Sequence, residues 1–142
     1  MKSCFVLCAA VSLAAISLRA DDRDLFQDVV APILKDKCIG CHGTEKVKAK
    51  LRLDSFAGIM KGGEDGKIIV PGKAKDSMMY KNLLLAKSED DHMPPPKKPQ
   101  PSAAEIAVIG WWIDKGAPEH LKLADAGAVP DAATPALEAA KK

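Results

Sequence analysis

The sequence predicts a mainly α-helical fold, and three observations support this prediction. Apolar residues recur at helical spacing in three segments, around residues 26–38, 75–86 and 102–116. The last segment opens with a capping box and ends at a glycine. The alternation typical of strands is confined to short runs, so we expect helices joined by loops rather than a sheet.

The first helical segment leads directly into a pair of cysteines. Its apolar stripe consists of Phe26, Val29, Val30, Ile33, Leu34 and Cys38. Pro32 interrupts this stripe. Because proline lacks an N–H and clashes with the preceding turn, we expect a kink, or a helix whose first turn begins near Pro32.

Two shorter elements follow the cysteines. Residues 50–63 carry a short helical stripe that ends at two glycines and consists of Phe56, Ile59 and Met60. Residues 68–70 form a brief extended run, which is closed by a turn at Pro71 and Gly72.

A third helix is predicted over residues 75–86. Asp76 or Ser77 is its expected N-cap, and its expected buried face consists of Met79, Leu83 and Leu84. The next stretch, residues 88–101, contains five prolines and a run of charges, so we expect a loop.

The last helix is the best defined. Ser102 and Glu105 form the capping box, and Gly116 stands where a C-terminal stop belongs. The apolar stripe consists of Ile106, Ile109 and Ile113. We interpret Trp112, beside this stripe, as core packing rather than a redox residue, and Gly110 as a place where another helix backbone approaches closely.

The cysteine pair belongs to the motif CxxCH, formed by Cys38, Cys41 and His42, which is the attachment site of a c-type haem. The spacing lets two thiols reach the vinyl groups on one edge of the porphyrin, and the adjacent imidazole ligates the iron. The competing readings are a zinc site or a redox disulfide. Zinc would need a second CxxC or a histidine pair, and a redox CxxC would need a thioredoxin-like βαβ pattern; neither is present in the sequence.

Residues 1–20 have the pattern of a secretory signal peptide. Lys2 supplies the charged start, residues 5–18 are apolar, and a small residue, Ala20, ends the segment. The apolar stretch is too short for a membrane anchor, so we expect no transmembrane span in the mature chain. Because haem c is attached outside the cytoplasm, the signal agrees with the motif and predicts a periplasmic or otherwise exported protein.

Cleavage near Ala20 would leave Cys38 and Cys41 as the only cysteines, since Cys4 and Cys8 lie inside the signal. A lipoprotein with Cys8 as the lipidated residue is a less fitting alternative, because bulky Leu7 precedes it. The mature chain divides into a domain over residues 21–117 and an Ala/Pro-rich stretch, residues 118–142, that we predict to be a disordered tail.

The charge balance gives no reason to expect a nucleic-acid partner, so we predict none. The formal net charge of +2 disappears with the signal, because Lys2 and Arg19 leave and no acid does. The segment after the haem motif is nevertheless basic, with Lys46, Lys48, Lys50, Arg52, Lys61, Lys67, Lys73 and Lys75. These residues are either ordinary solubilising lysines or a surface that steers a negatively charged redox partner.

A six-coordinate haem needs a second axial ligand opposite His42. Met93 is the leading candidate, because it lies in a proline-stiffened polar loop while Met60, Met78 and Met79 lie in helical patterns. The alternatives are His92 and an open site. Neighbouring carboxylates offer a plainer role for His92, that of a solvated histidine, and His120 is expected at the surface.

In sum, the ordered series of motifs resembles the c-type cytochrome domain of planctomycete and related bacterial proteins and, more broadly, the class I cytochrome c fold. The matching pieces are residues 30–34, 38–43, 51–54, 62–63, 70–72, Ser77 with Tyr80, 92–95 and 112–117. The resemblance implies a helical bundle around one covalently bound haem c, with thioethers at Cys38 and Cys41, His42 as the proximal ligand and Met93 as the distal ligand.

The leading functional prediction is a mono-haem electron carrier, not an enzyme, that passes single electrons between redox partner proteins. The alternative is a haem enzyme, or a sensor of peroxide or gas, with an open or displaceable distal site. A docking module whose tail binds a larger complex is a third possibility. Carriers and open-site proteins differ in whether the iron resists cyanide and carbon monoxide.

Overall fold

The computed structural model describes residues 21–141. Within this range the chain forms a π-helical segment, Leu25–Val30, four short 3-10 turns and five α-helices: α1 (Ala31–Lys37), α2 (Phe56–Lys61), α3 (Met78–Leu84), α4 (Ala103–Asp114) and α5 (Thr134–Ala139). These residues contain three isolated β-bridges and no strand. The prediction of a mainly α-helical fold is confirmed. The predicted signal peptide, with Cys4 and Cys8, lies outside the described residues.

The π-helical segment and α1 run continuously into the haem motif. The side chain of Asp24 caps the start by accepting hydrogen bonds from the main-chain N–H groups of Phe26 and Gln27, both at 3.0 Å. Pro32 lies in the first turn of α1, directly after the π-helical segment. This is the second of the two arrangements expected for Pro32.

Helix α3 is shorter than expected and exposes one of its predicted core residues. Leu83 is buried, whereas Leu84 is 59% exposed, so its assignment to the buried face is wrong. Consecutive residues of a helix point about 100° apart, so Leu83 faces the core while Leu84 faces solvent. Ser77 occupies the N-cap, but its hydroxyl bonds Val70 and Lys73 instead of the helix.

Helix α4 is the centre of the core. Its capping box forms as predicted. Every residue of the segment 108–113 is buried, so this helix needs partners around most of its circumference. Trp112 stacks on Phe26 with ring centroids 5.1 Å apart, which confirms its role in core packing. Gly110 is approached closely, as expected, but by the aromatic ring of Tyr80 rather than by a helix backbone.

The prediction of a disordered tail is wrong. After Ala117 the chain forms 3-10 turns at Leu123–Asp125 and Asp131–Ala133 and then α5. Five apolar residues of this C-terminal segment are buried, namely Leu123, Ala126, Ala133, Ala136 and Leu137. Alanine is too weakly apolar to produce a clear periodic pattern, yet it packs closely. The segment is ordered because it covers the second side of α4, which the N-terminal helices leave open.

None of the helices within residues 21–141 is long and apolar enough to cross a membrane.

Candidate functional site

The haem motif begins where α1 ends. Cys38 is the C-cap of α1, and its main-chain N–H donates to the carbonyl of Leu34 at 2.8 Å. The carbonyl of Cys38 then accepts hydrogen bonds from the N–H groups of Cys41, at 3.1 Å, and His42, at 3.0 Å. These bonds fold the main chain of residues 38–42 into a tight turn. Both thiols are free and partly buried.

The loop after the motif folds back onto His42. Nδ1 of His42 lies 3.1 Å from the carbonyl oxygen of Lys48, and the carbonyl of His42 accepts a hydrogen bond from Leu53 at 2.7 Å. A carbonyl accepts only, so Nδ1 carries the proton in this contact and Nε2 is the nitrogen with a lone pair. Such a contact fixes the tautomer and ring orientation of a metal-ligating histidine.

The Cys38 thiol is held in its protonated form. Burial raises the pKa of Cys38 to about 12, and the nearby Glu105 carboxylate adds to the rise, while Lys37 opposes it.

The geometry of the motif suits haem better than a single metal ion. Within residues 21–141, no group of three or more His, Cys, Asp or Glu side chains converges so as to hold an ion. Haem c needs no such convergence, because the thiols bind the edge of the macrocycle while one histidine reaches its centre. Val47, in the loop that follows the motif, is an exposed apolar residue.

Met93 lies in the loop that follows α3. Met93 is 38% exposed, and its main-chain N–H donates to the carbonyl of Asn82 in α3 at 3.0 Å. The backbone of Met93 is therefore tied to a helix while the residue remains exposed.

The expectation that His92 is solvated is wrong. His92 is only 6% exposed, and both ring nitrogens are engaged. Nδ1 lies 2.8 Å from the carbonyl oxygen of Leu85, and Nε2 lies 2.8 Å from Oε1 of Gln100. The carboxylates next to it in sequence are exposed, whereas the ring turns inward to partners on both sides of the loop. Ligation of iron by His92 would require one of these contacts to break.

Gln100 is the site residue that sequence reasoning missed. The sequence does contain a signal for Gln100. The prolines in residues 94–101 leave the loop poor in N–H donors, and Gln100 is the one side-chain amide in that stretch.

Of the other residues considered, His120 lies at the surface as expected, with its side chain 74% exposed. Lys46, Lys48 and Lys50 are exposed in the loop that contacts His42.

Comparison with known families agrees with this geometry. Residues 38–97 match the family model described as Planctomycete cytochrome C. The matched segment begins at the first cysteine of the motif and extends past Met93. Searches of curated proteins and of solved structures found no significant match. The resemblance drawn from the sequence motifs is confirmed, and with it the covalently bound haem c. Residues 38–97 are therefore similar to a planctomycete cytochrome C domain, and this similarity starts at the first cysteine of the CxxCH motif.

Proposed function

We propose that this protein is an exported mono-haem electron carrier in which His42 and Met93 bind the iron from opposite sides. Iron in haem c supplies one-electron redox chemistry, and a thioether ligand raises its reduction potential by favouring the ferrous state. A carrier needs both axial positions filled, so that electron transfer occurs without exchange of ligands.

The observation that carries the proposal is the contrast between His92 and Met93. The histidine is buried and engaged at both nitrogens, whereas the methionine beside it presents an accessible side chain. Met60, Met78 and Met79 are partly buried against the core, so each has a packing role already. Met93 thus remains the best available distal ligand.

The residues around the motif would prepare the other side of the iron. The Lys48 carbonyl would orient His42, and the turn at the end of α1 would present Cys38 and Cys41 to one edge of the ring. Exposed lysines in the same loop would lie beside the haem and would favour negatively charged redox proteins as partners.

The proposal that the protein is exported rests on the signal pattern in residues 1–20. Mass measurement of the mature protein should place its start near Asp21.

Spectroscopy and ligand binding test the carrier proposal. Ferric protein should show the weak near-infrared charge-transfer band of an iron–methionine bond and should bind cyanide slowly; ferrous protein should resist carbon monoxide. Met93→Leu should remove the band, lower the reduction potential and speed cyanide binding, because leucine keeps the volume but offers no sulfur.

Met79→Leu is the matched control, because Met79 packs against the core and should leave all three readouts unchanged. Rapid binding of cyanide or carbon monoxide by the unmodified protein would contradict the carrier proposal and favour the enzyme or sensor with an open site.

A further inference from the structure

We propose that Gln100, together with His92, positions Met93 for the iron by clamping the loop on both sides of this residue. The inference rests on the proposed role of Met93 as distal ligand. Neither Gln100 nor His92 would touch the iron; both would act through the backbone that carries the methionine.

Burial alternates along the three residues of the proposed ligand segment. His92 is buried at 6% exposure and Pro94 is also buried, while Met93 between them is 38% exposed. Two buried neighbours fix the direction in which the intervening side chain leaves the backbone. The exposure of Met93 is therefore imposed by its neighbours and does not reflect a freely moving loop.

Gln100 contacts both of these neighbours. Its Oε1 lies 2.8 Å from Nε2 of His92, and its Nε2 donates toward the carbonyl of Pro94 at 3.0 Å. The same amide nitrogen lies 3.1 Å from the carbonyl of Pro95 and 3.0 Å from that of Lys98. An amide has two N–H bonds, so these three carbonyls share them. Because the amide nitrogen faces carbonyls, the oxygen faces His92.

The loop depends on this amide because its prolines cannot donate. Five prolines occupy residues 94–101, and each lacks a main-chain N–H. Lys98 supplies one main-chain bond, to Pro95 at 2.8 Å. Gln100 supplies the other donors that tie this stretch together, and it does so from a side chain rather than from regular secondary structure.

The clamp is also fixed to the rest of the fold. Nδ1 of His92 contacts the carbonyl of Leu85 just after α3, and the N–H of Met93 contacts Asn82 within α3. The loop is therefore attached once to α3 and once to the residue that follows it, and Gln100 adds hydrogen bonds within the loop. Such preorganisation lowers the entropy lost when the thioether binds, and it holds the sulfur near the iron in both oxidation states.

Two substitutions of Gln100 in the haem-loaded protein test the clamp. Gln100→Ala removes every contact of the amide. Gln100→Glu keeps the size and the oxygen that faces His92 but loses the donors to Pro94 and Pro95. In both variants, cyanide should bind ferric protein roughly tenfold faster, because loss of these hydrogen bonds raises the fraction of molecules with the methionine detached. The reduction potential should fall, and the near-infrared band should weaken.

Lys97→Ala is the control in the same loop, since Lys97 is exposed, and it should behave as the unmodified protein. Far-ultraviolet circular dichroism, recorded well below the unfolding temperature, confirms that each variant is folded. If Gln100→Ala does not fold, Gln100→Glu, which is nearly isosteric, decides the question.

The result for Met93→Leu separates this inference from the proposal on which it rests. If Met93→Leu retains the near-infrared band, Met93 is not the ligand. The proposed ligation by Met93 and the positioning role of Gln100 are then both overturned. If Met93→Leu loses the band while the Gln100 variants bind cyanide as slowly as the unmodified protein and keep its potential, the positioning role alone is overturned. Faster cyanide binding and a lower potential in the Gln100 variants support it.

Discussion

Arg23 donates a hydrogen bond from Nη1 to the main-chain carbonyl of Leu137, 2.8 Å away and 114 residues later in the chain. The same guanidinium pairs with Asp21 at 2.6 Å. Main-chain bonds add to this link, from Leu25 to Leu121 at 2.8 Å and from Leu123 to Arg23 at 2.9 Å. The end of the chain is thus joined to the start of the helical segment that leads to the haem motif.

The C-terminal segment should therefore contribute to stability. Leu137→Ala should lower the free energy of unfolding of the haem-loaded protein by about 2–5 kcal/mol, because it removes a buried side chain of α5, the helix that packs on α4. Denaturant titration measures the change. Val129→Ala is the control in the same segment, since Val129 is 37% exposed and should have a small effect. Equal stability of the two variants would show that the segment does not support the fold.

Ser77 should stabilise the region before α3. Its fully buried hydroxyl accepts a hydrogen bond from the N–H of Val70 at 2.9 Å and donates to the carbonyl of Lys73 at 2.9 Å. Ser77→Ala leaves these buried groups without their partner and should cost about 1–3 kcal/mol in the free energy of unfolding. Ser88→Ala, at an exposed position, should be neutral. A neutral Ser77→Ala would mean that water or the backbone replaces the hydroxyl.

Both thiols should carry the haem. After expression with an intact export and maturation system, denaturing electrophoresis with a haem stain should show a stained band near the mature mass. Cys38→Ser and Cys41→Ser should each leave at most one thioether, and the double variant should lose the stain, because the haem then dissociates on denaturation. A stained band in the double variant would contradict covalent attachment at these positions.

The lysines beside His42 should accelerate electron transfer with a negatively charged partner. Replacing Lys46 and Lys50 by glutamine should slow reduction by such a protein roughly two- to tenfold at low salt, because long-range attraction raises the association rate. The effect should shrink as ionic strength rises, since screening shortens the reach of charge to ~8 Å at physiological salt.

Lys115→Gln with Lys122→Gln is the matched control, because it removes the same charge at exposed positions in the C-terminal part of the chain. If both pairs slow the reaction equally, net charge is responsible and the surface beside the motif has no special role.

Local features of the chain were predictable because they depend on neighbours in sequence. The CxxCH spacing, the capping box of Ser102 with Glu105, and Pro32 in the first turn of α1 each act within a few residues, so their chemistry is visible without the fold. The stop of α2 at Gly62 is of the same kind, since its φ of +84° favours glycine.

Tertiary contacts decided the rest. The C-terminal segment has no strong pattern of its own, and it is ordered because α4 is apolar around most of its circumference and needs a second cover. His92 has exposed carboxylates beside it in sequence, yet its ring is buried because its partners, Leu85 and Gln100, lie seven and eight residues away across a loop. The sequence alone determined the cofactor and the predominance of helices, because a short spacing and a helical period specify them. Only the folded chain decided which loop residue is accessible and which is engaged, because burial depends on residues that are distant in sequence and meet only in three dimensions.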